Sequence, residues 1–274
     1  MIDIASADAY CSPDASPRLK TITAIALAGG AIAREKLRRY PIDDMVIKGP
    51  RDYQTEADRA VETLISGALA EAFPDFAIDG EEMMGNRVKD GAPTLHIDPI
   101  DGTTNFAWGI PHFGVVITLE EAGEIVAGIT YDPMMDEAFT AEKRQGAFLN
   151  GRRLTMSPVP SPEASVVGAS LPVPGQVKSV PLDNYHRALR RLMDTTSGVR
   201  RFGSAALSLA YVAAGRINAF FEDGISIQDY GASVLVIREA GGIVTNFQGG
   251  PITSPGGIVG AAPDLHEWVL EGFR

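Results

Sequence analysis

The sequence is short of cysteine and of long apolar runs, and both absences exclude classes of protein. Cys11 is the only cysteine among 274 residues, which rules out an intrachain disulfide or a cysteine-based metal cage and favours a reducing, cytoplasmic setting. No run reaches the roughly 18 apolar residues that a membrane span needs. The N-terminus also lacks a basic region followed by an apolar core, so we expect no signal peptide.

Positive charge is also scarce. The chain has 24 Lys and Arg against 35 Asp and Glu, a formal net charge of −11. Nucleic acid and anionic membranes are therefore not expected as partners. An anionic substrate remains possible, because a bound divalent cation can reverse the local electric field.

What the sequence does contain is enough apolar residues, 45%, for one large domain or two closely packed ones. Residues 1–157 are expected to form an N-terminal α+β part. In it, periodic apolar residues predict helices over 17–39 and 54–72, and strand-length runs predict an antiparallel meander over 94–154. Asn150-Gly151 is a strong hairpin signal within that meander.

Three prolines at positions 158, 160 and 162 mark the change to a second part, residues 158–274. There strand and helix patterns alternate, which is typical of an α/β layer. Residues 1–17 are expected to be a frayed lead-in, and residues 40–53 are expected to be a loop. Gly29 and Gly30 lie inside the first helix, where close helix packing explains them better than phosphate binding.

Acidic residues stand at the ends of several predicted elements. In LHIDPIDGTTNF, residues 95–106, an apolar strand ends on Asp98 and Asp101. Asp-Pro and Asp-Gly are common turn pairs, so these acids could simply shape a turn. Carboxylates with few histidines and one cysteine also suit a hard cation such as Mg²⁺. The spacing leaves both interpretations open. The other acids in comparable positions are Asp58, Glu81, Glu82 and Asp229.

Other catalytic chemistries have less support. The chain has no phosphate-binding P-loop motif, and its four histidines lie in no nucleophile-elbow motif. His96 alternates with Asp98 along the strand and is interpreted as a packing residue. If a helix begins at Thr103, its first N–H groups could hold a phosphate, and the Thr103 hydroxyl could orient a water molecule.

Taken together, these stretches resemble the inositol monophosphatase family of lithium-sensitive, Mg²⁺-dependent phosphatases. The resemblance runs from about residue 18 to the end of the chain. It is carried by DYQTEAD (52–58), GEE (80–82), DPIDGTTNF (98–106), RFGSAAL (201–207) and FFEDGISIQDYGAS followed by REAGG (220–242).

The resemblance implies a role for each matching residue. The metal ligands would be Glu81, Asp98, the Ile100 carbonyl, Asp101 and Asp229. The catalytic group would be Thr103, which orients the attacking water, supported by Asp58 and Glu81. Phosphate oxygens would contact the amides of Gly102 and Thr103. The alcohol part of the substrate would face Gly203, Ser204, Ala205, Glu222 and the neighbourhood of Asp229. Lys48 would lie in a mobile loop that closes over the metals.

The resemblance also implies an α+β or α/β fold of the layered αβαβα sandwich type, usually a homodimer. The expected activity is hydrolysis of a small phosphate monoester, myo-inositol 1-phosphate or a similar polyol phosphate, with Mg²⁺ as cofactor. Fructose-1,6-bisphosphatase or histidinol-phosphatase activity is an alternative, as is a non-catalytic phosphosugar-binding regulatory protein. Gln228 replaces the family's usual tryptophan, so we expect an altered wall near the alcohol.

Overall fold

Two long helices form the first layer of the computed structural model, which describes residues 2–49 and 52–274. They are α1 (Pro17–Lys36) and α2 (Glu56–Ala72), and they pack against each other. A Cβ atom added at Gly29 would lie 2.8 Å from the Ile65 side chain, so this glycine allows the close approach. The packing interpretation of Gly29 is therefore confirmed.

The second layer is a seven-stranded sheet in the order β3-β4-β5-β6-β7-β8-β9, parallel between β3 and β4 and antiparallel elsewhere. Asn150 and Gly151 both have positive φ, +47° and +70°, in the turn between β8 and β9, as the hairpin signal predicts. The strands are β3 (Ala77–Gly80), β4 (Thr94–Asp101), β5 (Gly114–Glu121), β6 (Glu124–Asp132), β7 (Glu137–Glu142), β8 (Gly146–Leu149) and β9 (Arg152–Leu154).

The second half of the chain supplies a five-stranded mixed sheet in the order β11-β10-β12-β14-β13. Its strands are β10 (Val166–Ala169), β11 (Gly198–Arg200), β12 (Ala219–Ile225), β13 (Ile243–Thr245) and β14 (Gly256–Ala261). The accompanying helices are α4 (Leu182–Thr195), α5 (Ala205–Ala213), α6 (Ile227–Glu239) and α7 (Pro263–Leu270). A short helix, α3 (Thr103–Ala107), follows β4, and β1 (Val46–Gly49) pairs with β2 (Asp52–Gln54).

Apolar clusters show how these layers stack. On β12, Phe220 packs with α5 and α6, whereas its neighbour Phe221 packs with α4 and α7 on the opposite face. On β4, Leu95 and Ile97 join the cluster of α1 and α2. The order is helices, sheet, helices, sheet, helices, which confirms the predicted αβαβα sandwich.

Helix α6 crosses the seven-stranded sheet at very short range. A Cβ atom added at Gly128 of β6 would lie 2.8 Å from the Cα of Ala232. The hydroxyl groups of Thr130 and Ser233 are 2.7 Å apart beside this contact. Small residues on α6 thus let it lie almost on the strand backbone. The predicted boundary near residue 157 falls between the two sheets, and it stays a prediction.

Two N-terminal expectations were wrong. A short 3₁₀ helix, Ile4–Ala9, packs against α1 with Ala7 and Cys11 buried, so this segment is not a frayed lead-in. Residues 46–54 contain the β1–β2 pair rather than loop alone, although residues 50 and 51 lie outside the described residues. Among the described helices, none combines the length and the apolar character required to cross a bilayer.

Candidate active site

Three carboxylates from three different elements converge near the sheet edge. Glu81 follows β3, Asp98 lies in β4, and Asp229 lies in the first turn of α6. One oxygen from each lies within 4.8 Å of the others. Burial, followed by repulsion from Glu81 and other nearby acids, raises the pKa of Asp98 well above its ordinary value. Burial and the same repulsion raise the pKa of Asp229 to about 7.

The local backbone explains why the strand ends on two acids. The β4–β5 pairing loses its regular register between Asp98 and Asp101, where β4 carries one extra residue. The Asp98 Oδ1 atom accepts a hydrogen bond from the Ile100 N–H at 2.9 Å. Asp98 therefore shapes the local turn and also faces the carboxylate cluster. A turn-forming role and a cation-binding role are therefore compatible for this motif.

Asp101 is turned toward another element. Its carboxylate accepts hydrogen bonds from the Ala206 N–H at 2.8 Å, from the Ala205 N–H at 3.2 Å and from the Ser204 hydroxyl. Burial raises its pKa to about 7, while these donors lower it. Asp101 thus caps α5 and lies outside the three-acid group, so its role as a metal ligand stays a proposal.

Thr103 lies at the start of α3 between two oxygen atoms. Its Oγ1 atom is 3.3 Å from Asp58 Oδ1 and 3.1 Å from the Ile100 carbonyl oxygen. The other Asp58 oxygen accepts from the Thr55 N–H at 2.7 Å, within the N-terminal capping box of α2. Burial raises the pKa of Asp58 to about 6, with the Thr55 hydrogen bonds opposing it.

Of the groups described above, Asp101, Thr103 and Asp229 line a cavity of about 410 Å³, which extends to the second half of the chain. Gly102 has φ +101°, and a Cβ atom there would lie 3.0 Å from the Gly203 carbonyl oxygen, so glycine is needed at this approach. The structure brings all seven predicted substrate residues to this cavity. The predicted residues that line it are Asp101, Gly102, Thr103, Gly203, Ser204, Ala205, Glu222 and Asp229.

Gln228 does not lie on the wall of the cavity, where we expected it. It is not among the described residues that line the cavity, and its Nε2 atom donates to Asp79 at 2.7 Å. His96 lies between Asp79 and Glu120, at 2.9 Å and 2.8 Å. Gln228 thus joins a polar network between α6 and the sheet, and the altered wall near the alcohol stays a prediction. His96 belongs to the same network.

Lys48 reaches the cluster from β1. Its ammonium group lies 3.0 Å from Glu81 and 2.9 Å from Glu82. Burial lowers the pKa of Lys48, but the charges and hydrogen bonds of the two glutamates outweigh this effect, and the pKa is raised. Lys48 therefore offsets part of the negative charge at the site.

Glu62 is a site-supporting residue that the sequence reasoning missed. It is fully buried on α2, and its carboxylate accepts from the Glu82 N–H at 2.7 Å and from the Met84 N–H. It thereby holds the turn that carries Glu81. A signal was present, because Glu62 follows Asp58 by one helical turn and so interrupts the apolar face of α2.

The donor set fits a hard divalent cation. Glu81, Asp98 and Asp229 offer carboxylate oxygens only, and these neighbouring acids repel one another when no cation is bound. The layered fold and a carboxylate cluster that could hold a metal ion agree with the class of protein that the sequence resembles, the metal-dependent phosphatases.

The chain belongs to the inositol monophosphatase family, whose model matches residues 14–274. It is 44% identical over 224 residues to an inositol-1-monophosphatase of Mesorhizobium japonicum, covering 82% of this chain and 83% of the relative. It is 42% identical over 238 residues to the Nus factor SuhB of Pseudomonas aeruginosa, covering 85% and 86%. The crystal structure of extragenic suppressor protein SuhB from Bartonella henselae superposes with a TM-score of 0.87 at 38% identity, covering 94% and 99%.

Proposed function

We propose that this protein is a Mg²⁺-dependent phosphomonoesterase that hydrolyses myo-inositol 1-phosphate or a similar polyol phosphate. The observation that carries the proposal is that Asp229, one of the three clustered carboxylates, lines the same cavity as Thr103, whose hydroxyl contacts Asp58. A site of this composition suits direct attack by water, without a covalent intermediate on the protein.

Glu81, Asp98 and Asp229 would hold the cation, together with Asp101 and the Ile100 carbonyl as the family resemblance implies. When bound, a divalent cation supplies charge neutralisation for the phosphate and activation of water. The chain's net charge of −11 is compatible with an anionic substrate. The negative charges at the site would be the ligands of the cation, and the bound cation would then attract the phosphate.

Thr103 and Asp58 would prepare the nucleophile. The Thr103 hydroxyl has a single proton, which it can donate to Asp58 or to the Ile100 carbonyl, and its lone pairs then accept a hydrogen bond from water. With a pKa of about 6, Asp58 is suited to take up a proton near neutral pH. The first amides of α3 have no partner within the helix, so those of Gly102 and Thr103 are available to phosphate oxygens.

The test is release of inorganic phosphate from a panel of esters with and without Mg²⁺. We expect release from myo-inositol 1-phosphate that disappears in EDTA. Much faster hydrolysis of fructose 1,6-bisphosphate or histidinol phosphate would contradict the substrate assignment.

A second candidate is a non-catalytic regulatory protein that keeps the fold and binds phosphosugars, and the relatives named Nus factor SuhB support its regulatory part. The two candidates separate in the same assay. Binding of inositol phosphate without any phosphate release in Mg²⁺ would favour the regulatory protein.

A further inference from the structure

One wall of the cavity is a tight turn in the connection between β10 and α4. Val173, Pro174, Gly175 and Gln176 all line the cavity. The Gln176 N–H donates to the Val173 carbonyl at 3.0 Å, and Gly175 has φ +82°. Proline followed by a glycine of positive φ is the signature of a type II turn, which presents Gln176 at its last position.

This turn is fixed to strand β12. Asp223 is buried, and its carboxylate accepts from the backbone N–H groups of Lys178 at 2.7 Å and Ser179 at 2.8 Å. A Cβ atom at Gly224 would lie 2.8 Å from the Gln176 carbonyl oxygen, so the glycine permits the close approach. The Gln176 side chain therefore starts from a firmly held backbone.

Gln176 contacts Glu222, which also lines the cavity. Its Nε2 atom donates to Glu222 Oε1 at 3.2 Å. An amide has two N–H groups and a carbonyl oxygen, and this hydrogen bond uses one N–H. A donor, an amide acceptor and a carboxylate acceptor therefore lie side by side in the cavity that also contains Thr103.

We propose that Gln176 is a specificity-determining residue, which together with Glu222 selects leaving groups that carry adjacent hydroxyl groups. The inference rests on the phosphatase activity proposed above. Each hydroxyl of a polyol both donates and accepts, which matches the paired amide and carboxylate. An aryl phosphate has no such hydroxyl groups, and a polar site that a ligand leaves unpaired discriminates against that ligand.

The test compares kcat/KM of wild type and Gln176→Leu for myo-inositol 1-phosphate and for phenyl phosphate, in Mg²⁺. Loss of one hydrogen bond predicts a fall of about tenfold for the inositol ester and a change within about twofold for phenyl phosphate. Gln176→Glu places a second carboxylate beside Glu222. It should likewise reduce the ratio of kcat/KM for myo-inositol 1-phosphate to kcat/KM for phenyl phosphate. Gln248→Leu is the matched control, because Gln248 donates to the Ser179 carbonyl of the same segment at 3.1 Å and is absent from the described lining.

The outcomes separate the two claims. If the wild type is active and Gln176→Leu leaves kcat/KM unchanged for both esters, or lowers it equally for both, the specificity role alone would be overturned. A wild type that releases phosphate from neither ester would overturn the phosphatase assignment, and the specificity role with it. A lowered ratio in Gln248→Leu would assign the effect to movement of the segment and contradict a direct role of Gln176.

Discussion

At the scale of single residues, Asp98 opposes folding when no cation is present, because it is buried beside other acids. Asp98→Asn keeps an oxygen for the Ile100 N–H and removes the charge. We expect the melting temperature in EDTA to rise by about 2–6 °C, and the stabilisation by Mg²⁺ to be largely lost. Thermal melts in EDTA and in Mg²⁺ measure both. Asp194→Asn, an exposed acid on α4, serves as control and should change neither. A melting temperature that falls in EDTA would show that Asp98 is structurally required.

Thr103 should matter for the reaction rather than for cation binding. Thr103→Val keeps the shape and removes the hydroxyl that contacts Asp58. We expect kcat for phosphate release to fall at least about 100-fold, the lower range for a lost acid–base group, while Mg²⁺ still raises the melting temperature. Thr103→Ser should restore most of the rate. Thr63→Val, on the exposed face of α2, should have wild-type kinetics. Wild-type kcat in Thr103→Val would exclude the proposed role.

The sequence predicts such residues well where a local motif positions them. Asp98, Gly102 and Thr103 lie within a few residues of each other, so turn chemistry places them together. The positions of Asp101 and Gln228 could not be predicted in this way. Asp101 is oriented by the amides that begin α5, and Gln228 by Asp79, more than 100 residues away.

At the scale of elements, Glu62 connects α2 to the turn after β3, and its environment predicts a pH dependence. Burial raises its pKa from 4.5 to about 7, so the folded state binds a proton more tightly than the unfolded chain. This contribution to the free energy of unfolding is fully present below pH 4.5 and is lost as the pH rises through 7. In EDTA, the free energy of unfolding should therefore change less between pH 4.5 and pH 7 in Glu62→Gln than in wild type. The difference between the two changes should be on the order of 1–3 kcal/mol.

Urea unfolding at a series of pH values measures this slope. Glu71→Gln is the matched control, because Glu71 is an exposed glutamate on the same helix. It should keep the wild-type profile. Equal slopes for wild type and Glu62→Gln would contradict the proposed environment of Glu62.

Helices α1 and α2 and the meander β5–β9 follow from their periodicity, and the predicted ranges 17–39, 54–72 and 94–154 lie close to the observed bounds. The 3₁₀ helix Ile4–Ala9 was not predicted, because its only buried side chain, Ala7, gives no periodic signal. The β1–β2 pair was also missed, because its exposed strand β1 lacks the alternation of a half-buried strand.

At the scale of the whole molecule, charge predicts an order of binding. The net charge is −11, and the acids at the cavity repel a phosphate when no cation is bound. Inorganic phosphate should therefore raise the melting temperature in Mg²⁺ and have no effect in EDTA. Chloride at equal ionic strength is the control for screening. Equal stabilisation by phosphate in EDTA would show that the anion binds through the protein alone.

The contact between Gly128 and Ala232 has a consequence for the choice of ion. Helix α6 has Asp229 in its first turn and rests at this contact directly on the strand backbone. Since a helix moves as a rigid rod, a displacement of a few tenths of an ångström in the interior is passed to Asp229 and alters the separation of its oxygens from those of Asp98. With the proposed cation bound, the preference for one cation over another would thus be partly a property of interior packing, and selection could change it while every ligand stays the same.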